Sequence, residues 1–295
     1  MQYRLWGIGL LCGLLFGSAA WGQQSDRSYA KEVLHETERA LQVYGDSMMF
    51  GSTQGVRVFA LTRFIPLLRS VFQYPEAFDY PFDSLKFVSK LSDPQHRFRI
   101  LTWGLRFKDG SIRHYGVLLR KHGKDSISVT PLRDAAEWFF TGRKQFNTSA
   151  SPERWLGAVY YDLQCMSSSS SHGAYCILLG WNGTSPRQRR KLIEPFQIRG
   201  DSVVFGLPVL SAEHGMRLRE VLEYHPTATL TLRFDEKAGR PAIVFDHLVM
   251  QRIPQAGEGM VPDGTYDYYL LQPGGIWQKG SLFFGKGPSP SRSKP

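Results

Sequence analysis

Residues 155–181 read WLGAVYYDLQCMSSSSSHGAYCILLGW, two apolar, aromatic-rich runs around five serines, with one cysteine in each run. The spacing predicts a β-hairpin, 155–165 against 175–181. If 163 faces 178 and 161 faces 180, then Cys165 faces Cys176, and opposite residues of a non-hydrogen-bonded antiparallel pair lie within disulfide reach. A Cys165–Cys176 disulfide is expected, with two buried free thiols as the alternative. The other candidate strands read as pieces of the same antiparallel system. The fold class expected is mainly β (α+β): antiparallel meanders and hairpins forming a sandwich, a barrel or a small propeller-like body, with one or two N-terminal helices.

Upstream of the hairpin the period is helical. Ala30, Val33, Leu34, Ala40, Leu41 and Tyr44 recur at three and four, predicting a helix opened by Ser28 and stopped by Gly45. Phe64, Leu67, Leu68, Val71 and Phe72 predict a second helix that either starts near Pro66 or is kinked there. Residues 73–85, aromatic and proline-punctuated, read as a connector on the surface. From Phe98 the period becomes two. Leu101, Trp103, Leu105 and Phe107 take one side, and after the turn at 108–111 Ile112, His114, Gly116 and Leu118 return on that same side, which places Trp103 opposite Gly116. A turn at 122–125 leads to a third strand, and 133–154 reads as a polar excursion with a short helix around 135–140.

Beyond the hairpin, Ser185-Pro186 predicts a cap for a short basic helix, 187–194, ended by Pro195. Strands are expected at 196–199, 203–205, 217–224, 228–234, 242–248, 265–271 and 276–284. The tail 285–295 is low-complexity and expected to be disordered.

Both ends bear on location. Residues 1–4 are short and basic, 5–16 are apolar and uncharged, and Ala20 and Gly22 supply small residues at −3 and −1 of a cleavage point. That pattern predicts a signal peptide over 1–22, too short to span a membrane, and hence an exported chain in the periplasm or on the outer surface. Residues 23–284 then form one β-rich domain. The formal net charge is +10. A basic exported chain suggests anionic glycan, lipid head groups or an acidic partner, and disfavours nucleic acid.

Several strings carry a resemblance: PFDSL (81–85), FRILTWGLRFKDGSIRHYGVL (98–118), YYDLQC (160–165) with YCILLGWNG (175–183), LRFDEKAGRPAIVFDHL (232–248) and PDGTYDYY (262–269). Together they resemble a group of uncharacterised exported proteins of Bacteroidota, over most of the chain between Pro66 and Leu271. The resemblance implies export and a β-rich body and brings no catalytic residue. In that setting the Asp-Ser-aliphatic triplets at Ser47, Ser84, Ser126 and Ser202 are similar to the O-glycosylation acceptor of such bacteria, although Asp-Ser is also a common turn pair.

Chemistry is harder to find. There is no HExxH, His-x-His, EF-hand loop or phosphate-binding glycine loop, so no metal and no cofactor is expected. No G-x-S-x-G occurs. Asp246 and His247 are adjacent and point to opposite faces of a strand, which prevents a direct dyad. His247 and His114 fall on apolar strand faces and read as core histidines. Glu220, Glu223, Asp235, Glu236, Asp246 and Asp267 show no convergent spacing for paired-carboxylate hydrolysis. For binding, the better clue is Tyr266, Tyr268 and Tyr269, which occupy both faces of one strand, with cross-strand packing as the alternative; the basic cluster Arg187, Arg189, Arg190 and Lys191 could grip an anionic lipid or glycan, with a solvated helix face as the commoner reading. The expectation is a non-catalytic envelope protein that binds a partner protein or an anionic glycan or lipid. The alternative is a secreted hydrolase of envelope or dietary polymers.

Overall fold

A computed structural model describes residues 18–123, 126–142, 145–166 and 172–282, with side chains from Ser28. The expectations for residues 1–17, for the serine run and for the tail lie outside these residues. Two helices come first, α1 (Ser18–Phe50) and α2 (Gln54–Val71), followed by a 3₁₀ turn at Pro75–Phe78. The meander β1 (Ser89–Ser92), β2 (Phe98–Arg106), β3 (Ile112–His122) and β4 (Ser126–Arg133) precedes α3 (Ala136–Thr141). The cysteine hairpin is β5 (Val159–Met166) and β6 (Tyr175–Asn182), and β7 (Arg189–Arg199) and β8 (Ser202–Phe205) extend its sheet. Then come β9 (Leu210–Ala212), β10 (Gly215–Arg217), β11 (Glu220–Tyr224), β12 (Leu232–Lys237), β13 (Arg240–Ile253), β14 (Gly257–Leu271) and β15 (Trp277–Leu282).

The strands form three sheets: β1-β2-β3-β4, β11-β7-β6-β5 with β8 also on β7, and β10-β9-β15-β14-β13-β12. Pairing is antiparallel except between β15 and β9. Three cores separate the layers. Leu101, Trp103 and Leu105 of the first sheet face Leu41, Phe64 and Leu68 of the helices. Its other side, Phe98, Ile100 and Leu118, meets Tyr160, Leu178 and Phe196 of the middle sheet. The far side of the middle sheet, Ile177, Leu179 and Ile193, packs on Leu232, Ile243, Tyr269 and Trp277 of the third. The body is thus sandwich-like, with helices, then three stacked sheets; among the described residues no barrel closes. A middle sheet covered on both faces has no polar side to display, which is why CILLG and LIEPF show no alternation.

The hairpin register matches expectation at its end: Leu163 pairs with Leu178 and Cys165 with Cys176, joined by a disulfide. Nearer the start a bulge at Tyr161 shifts the pairing, so that Tyr160, rather than residue 161, faces Gly180. Tyr161 uses its position to donate its hydroxyl to Leu232 O at 3.0 Å, tying the middle sheet to the third.

Several expectations are corrected. The loop 107–111 is one residue longer than a 107/112 pairing allows, since Arg106 pairs with Ile112. That slip sends Tyr115, Val117 and Leu119, rather than His114 and Leu118, to the side of Trp103, which stacks on Tyr115 at 5.9 Å. α1 neither opens at Ser28 nor stops at Gly45. A Cβ there would sit 2.0 Å from the Phe87 ring, so this glycine serves close packing. α2 starts at Gln54, capped by Thr53, with Pro66 inside it.

Residues 73–85 are core rather than surface: Phe78, Phe82 and Leu85 are buried, and the segment's polar groups are captured from both sides. Arg99 donates to the carbonyls of Phe78, Tyr80 and Pro81, Lys90 to those of Phe82 and Leu85, and Glu38 accepts from the Tyr80 hydroxyl and the Ser84 amide. The basic helix at 187–194 does not form. Ser185 Oγ accepts from Arg187 N–H in a tight turn, and residues 189–199 become β7, because Leu192 and Ile193 each fill a core on opposite faces. The stretch 217–224 is divided between β10 and β11 at a buried Arg219, and 228–231 is turned aside by Asp246, whose carboxylate accepts from Thr231 N–H at 2.6 Å.

Candidate functional site

In a strand, neighbours face opposite ways, and β7 separates the basic cluster accordingly. Arg189 and Lys191 lie against Trp181 and Tyr161, with charge-to-ring distances of 5.7 and 4.9 Å. Burial holds the Lys191 ammonium below its usual value, with nearby Asp246 opposing. Arg187 is exposed in the preceding turn. Arg190 alone turns inward, 5% exposed, with its guanidinium 3.8 Å from the centre of the Phe140 ring of α3. Its cross-strand neighbour Glu223 accepts from Nε at 2.6 Å and Gln188 accepts from Nη2 at 3.0 Å. Nη1 has no partner among the described residues.

Two clefts meet at this Arg190–Phe140 stack, since both residues line each of them. The larger, about 1080 Å³, runs between the β2–β3 turn, α3 and residues 184–185. The second, about 640 Å³, is walled by Gln145 and Phe146 on one side and by β11, β13, β14 and β15 on the other. Gln145 is 6% exposed, and its Oε1 is also unpartnered among the described residues. Arg190 and Gln145, which both line this cleft, thus each carry one polar atom that is closed off from solvent and has no partner among the described residues. Such atoms are uncommon in native proteins, where each costs about 1–3 kcal/mol.

The Gln145 wall is held from below by buried charge. Arg219 is fully buried and donates to Gln145 O at 2.8 Å, Thr148 O at 2.6 Å and Phe205 O at 3.1 Å, while its Nε meets Glu194 Oε1 at 2.8 Å. The other Glu194 oxygen accepts from the Tyr160 hydroxyl, which itself accepts from Trp155 Nε1 at 2.8 Å. Gly206 allows this approach: its φ is +85°, and a Cβ there would lie 2.6 Å from Arg219 Nη2. Leu218 N–H donates to Phe146 O, and Arg217 lies over the Phe146 ring at 4.9 Å while binding Glu220. Residues 145–148, read in the sequence as a polar excursion, are in this way a rigid wall.

The opposite wall carries a histidine–carboxylate pair that the sequence reading missed. His247 does not pair with Asp246. It sits at a register shift, where Asp246 faces Tyr266 and Leu248 faces Pro262, and its Nδ1 lies 3.1 Å from Asp267 Oδ2. Asp267 also accepts from Ser281 Oγ at 2.7 Å and stands 3.8 Å from Lys279 Nζ. The His247 side chain is 42% exposed, so it belongs to the cleft rim rather than to the core. The signal available in the sequence was PDG at 262–264, since residues 263–265 of β14 stand as a bulge opposite His247, between the Leu248–Pro262 and Asp246–Tyr266 pairs.

His114 is the reverse case. Its side chain is fully buried, Nε2 accepts from Gly183 N–H at 3.3 Å, and Nδ1 is left to donate to Asp134 Oδ2 at 3.2 Å. With both ring nitrogens engaged it is a structural residue. Tyr269 is likewise structural, fully buried with its hydroxyl donating to Glu220 Oε2 at 2.6 Å; burial, then the Glu220 charge, pushes its phenol up. Tyr268 is half-buried under the Lys237 ammonium at 3.6 Å, and Tyr266 shares its side of β14. Ser126 and Ser202 are exposed at the first positions of β4 and β8, whereas Ser47 and Ser84 are half-buried.

Neither cleft is electropositive. Lys108, Arg113 and Arg190 face Asp109, Asp134 and Glu137 in the larger, and Arg190 and Lys279 face Glu223, Asp246 and Asp267 in the second. Among the described residues no helix is long and apolar enough to cross a membrane. Compared with known proteins, the chain matches no family model, no curated protein and no solved structure.

Proposed function

We propose that this is a non-catalytic protein exported to the cell envelope, where it binds a surface glycan in the two clefts that meet at Arg190. The observation that carries the reading is the buried, incompletely paired Arg190 guanidinium on a wall common to both clefts. The leader-like N-terminus and the disulfide support export. Binding would use preformed walls: the Arg219–Glu194 pair fixes Gln145 and Phe146, and Glu223 and Gln188 orient Arg190, so little side-chain freedom is lost when a ligand arrives. Affinity purification of the tagged protein from cross-linked envelopes, washed at low and high salt, tests it. Recovery of glycan in both washes is expected, and recovery of nothing in either would remove the proposal.

A second reading rests on the Asp267–His247 pair. An imidazole oriented by a buried carboxylate and open to a cleft can act as a general base on water, which is the chemistry of a hydrolase. Among the residues of this cleft there is no serine, threonine or cysteine to serve as a nucleophile, so water would have to be the attacking group. Release of reducing ends from envelope or dietary polymers, abolished in His247→Ala, would support this reading over binding alone.

A further inference from the structure

We propose that the tip of the α1–α2 hairpin is a membrane-surface anchor, seating Phe50, Val56 and Phe59 at the interface of a bilayer that carries anionic phospholipid. These side chains are 82%, 44% and 55% exposed, although each would gain by leaving water. They gather at the chain reversal. A Cβ on Gly51, the residue after Phe50, would lie 2.8 Å from Val56 Cγ1, and Phe59 follows Val56 by three, on the same side of α2. None of the three lines either cleft, so this surface goes beyond the glycan reading and does not depend on it. The tip is also braced. Arg57 Nη1 donates to Gly51 O at 2.7 Å and its Nε to Arg106 O at 3.2 Å, and Gln54 Oε1 accepts from Lys108 N–H at 3.0 Å.

Charge selects the occupant. From Ser47 to Pro75 the chain has three arginines, Arg57, Arg63 and Arg69, and no acidic residue. Arg63 holds its guanidinium 5.2 Å from the centre of the Phe59 ring, and Arg69 is exposed further along α2. Among the described residues the arginine ion pairs are all made elsewhere. The neighbouring β2–β3 turn adds exposed Arg106 and Lys108, and its one acid, Asp109, already accepts from Ser111 N–H and Oγ. Apolar side chains fringed by unpaired cations suit an anionic bilayer surface, where rings enter the headgroup boundary and guanidiniums meet phosphates. A second copy of the chain would instead bring the same arginines face to face. A ring 82% exposed at a chain reversal projects rather than lining a groove, and a bilayer receives it without a socket of matching shape.

The test is flotation of the protein purified from envelopes, its N-terminus checked by mass spectrometry, with vesicles of phosphatidylglycerol and phosphatidylethanolamine or of phosphatidylcholine alone. The anionic vesicles should bind about tenfold more strongly, and high salt should remove most of that difference. Phe50→Ser combined with Phe59→Ser should weaken binding about tenfold, and Arg63→Gln about fivefold, the worth of one basic residue near such a surface. Both rings are exposed, so thermal melting should stay at the parent's value. Met250→Ser, which removes another exposed apolar side chain, on β13, should bind as the parent does. Binding to neither vesicle, or binding that ignored the Phe50 and Phe59 changes, would overturn the proposal. A dimer seen by light scattering and split by the same double variant would overturn it in favour of contact between copies. An acidic envelope protein recovered in place of lipid, and lost in that variant, would overturn it in favour of a protein partner. None of these outcomes bears on glycan binding in the clefts.

Discussion

Tyr160→Phe removes one oxygen and strands two buried groups, the Trp155 indole N–H and one oxygen of Glu194. A loss of about 1–3 kcal/mol is expected in denaturant unfolding, the cost of buried polar atoms left unmade. Glu194→Gln is more severe, because Arg219 is fully buried and Glu194 is its only carboxylate partner among the described residues; roughly 3–5 kcal/mol is expected. If both variants unfolded at the parent's denaturant midpoint, water would have to be replacing the missing partners. None of this network is visible in the sequence. Arg219 and Glu194 are 25 residues apart, each within an ordinary-looking charged string, and what makes them partners is the meeting of β7 with the residues before β11. The same holds for Asp267 and His247, whereas the burial of His114 could be read from its apolar neighbours even though the side it faces could not.

At the level of elements, the cysteine end of the hairpin was legible because its register and its cross-link follow from counting residues across a loop, whereas the bulge at Tyr161 was not. Cys165→Ser with Cys176→Ser should lower stability by roughly 2–3 kcal/mol for a closed loop of this length, seen as a lower unfolding midpoint that reductant no longer shifts. β7 was illegible for the opposite reason. The string RQRRKLIEPF carries helix-forming residues behind a Ser-Pro start, and local preference alone favours a helix. Leu192 and Phe196 fill one core while Ile193 fills another, and only an extended chain can send successive residues to both. The β2–β3 register failed by a single residue in the turn, which is enough to exchange every side chain between two cores.

At the level of the whole molecule, the stacking of sheets predicts an alkaline limit. Tyr80, Tyr115, Tyr160, Tyr175, Tyr224 and Tyr269 are all held above the ordinary phenol value of 10, burial being the first cause in each, with Tyr175 pushed up to about 12. The unfolded chain loses these protons near pH 10 and the folded chain keeps them, so stability is intact below pH 10 and falls as the pH rises beyond it. Tyrosinate absorbance and far-ultraviolet circular dichroism should therefore change together above pH 10; phenols titrating smoothly while the dichroism held would contradict the burial. A sequence read strand by strand yields a β-rich body and little more, since the number of layers depends on which apolar runs are covered twice. That double covering also sets a schedule. A chain delivered from its N-terminus can finish the helices and the first sheet early, but Ile177, Leu179, Ile193 and Leu222 stay uncovered until β12–β15 arrive. During that interval the nascent chain presents a broad sticky wall, open to any neighbour in the same state. Its folding would accordingly depend on a holding chaperone until the last strands emerge, and chains truncated before β12 should aggregate rather than merely lose a sheet.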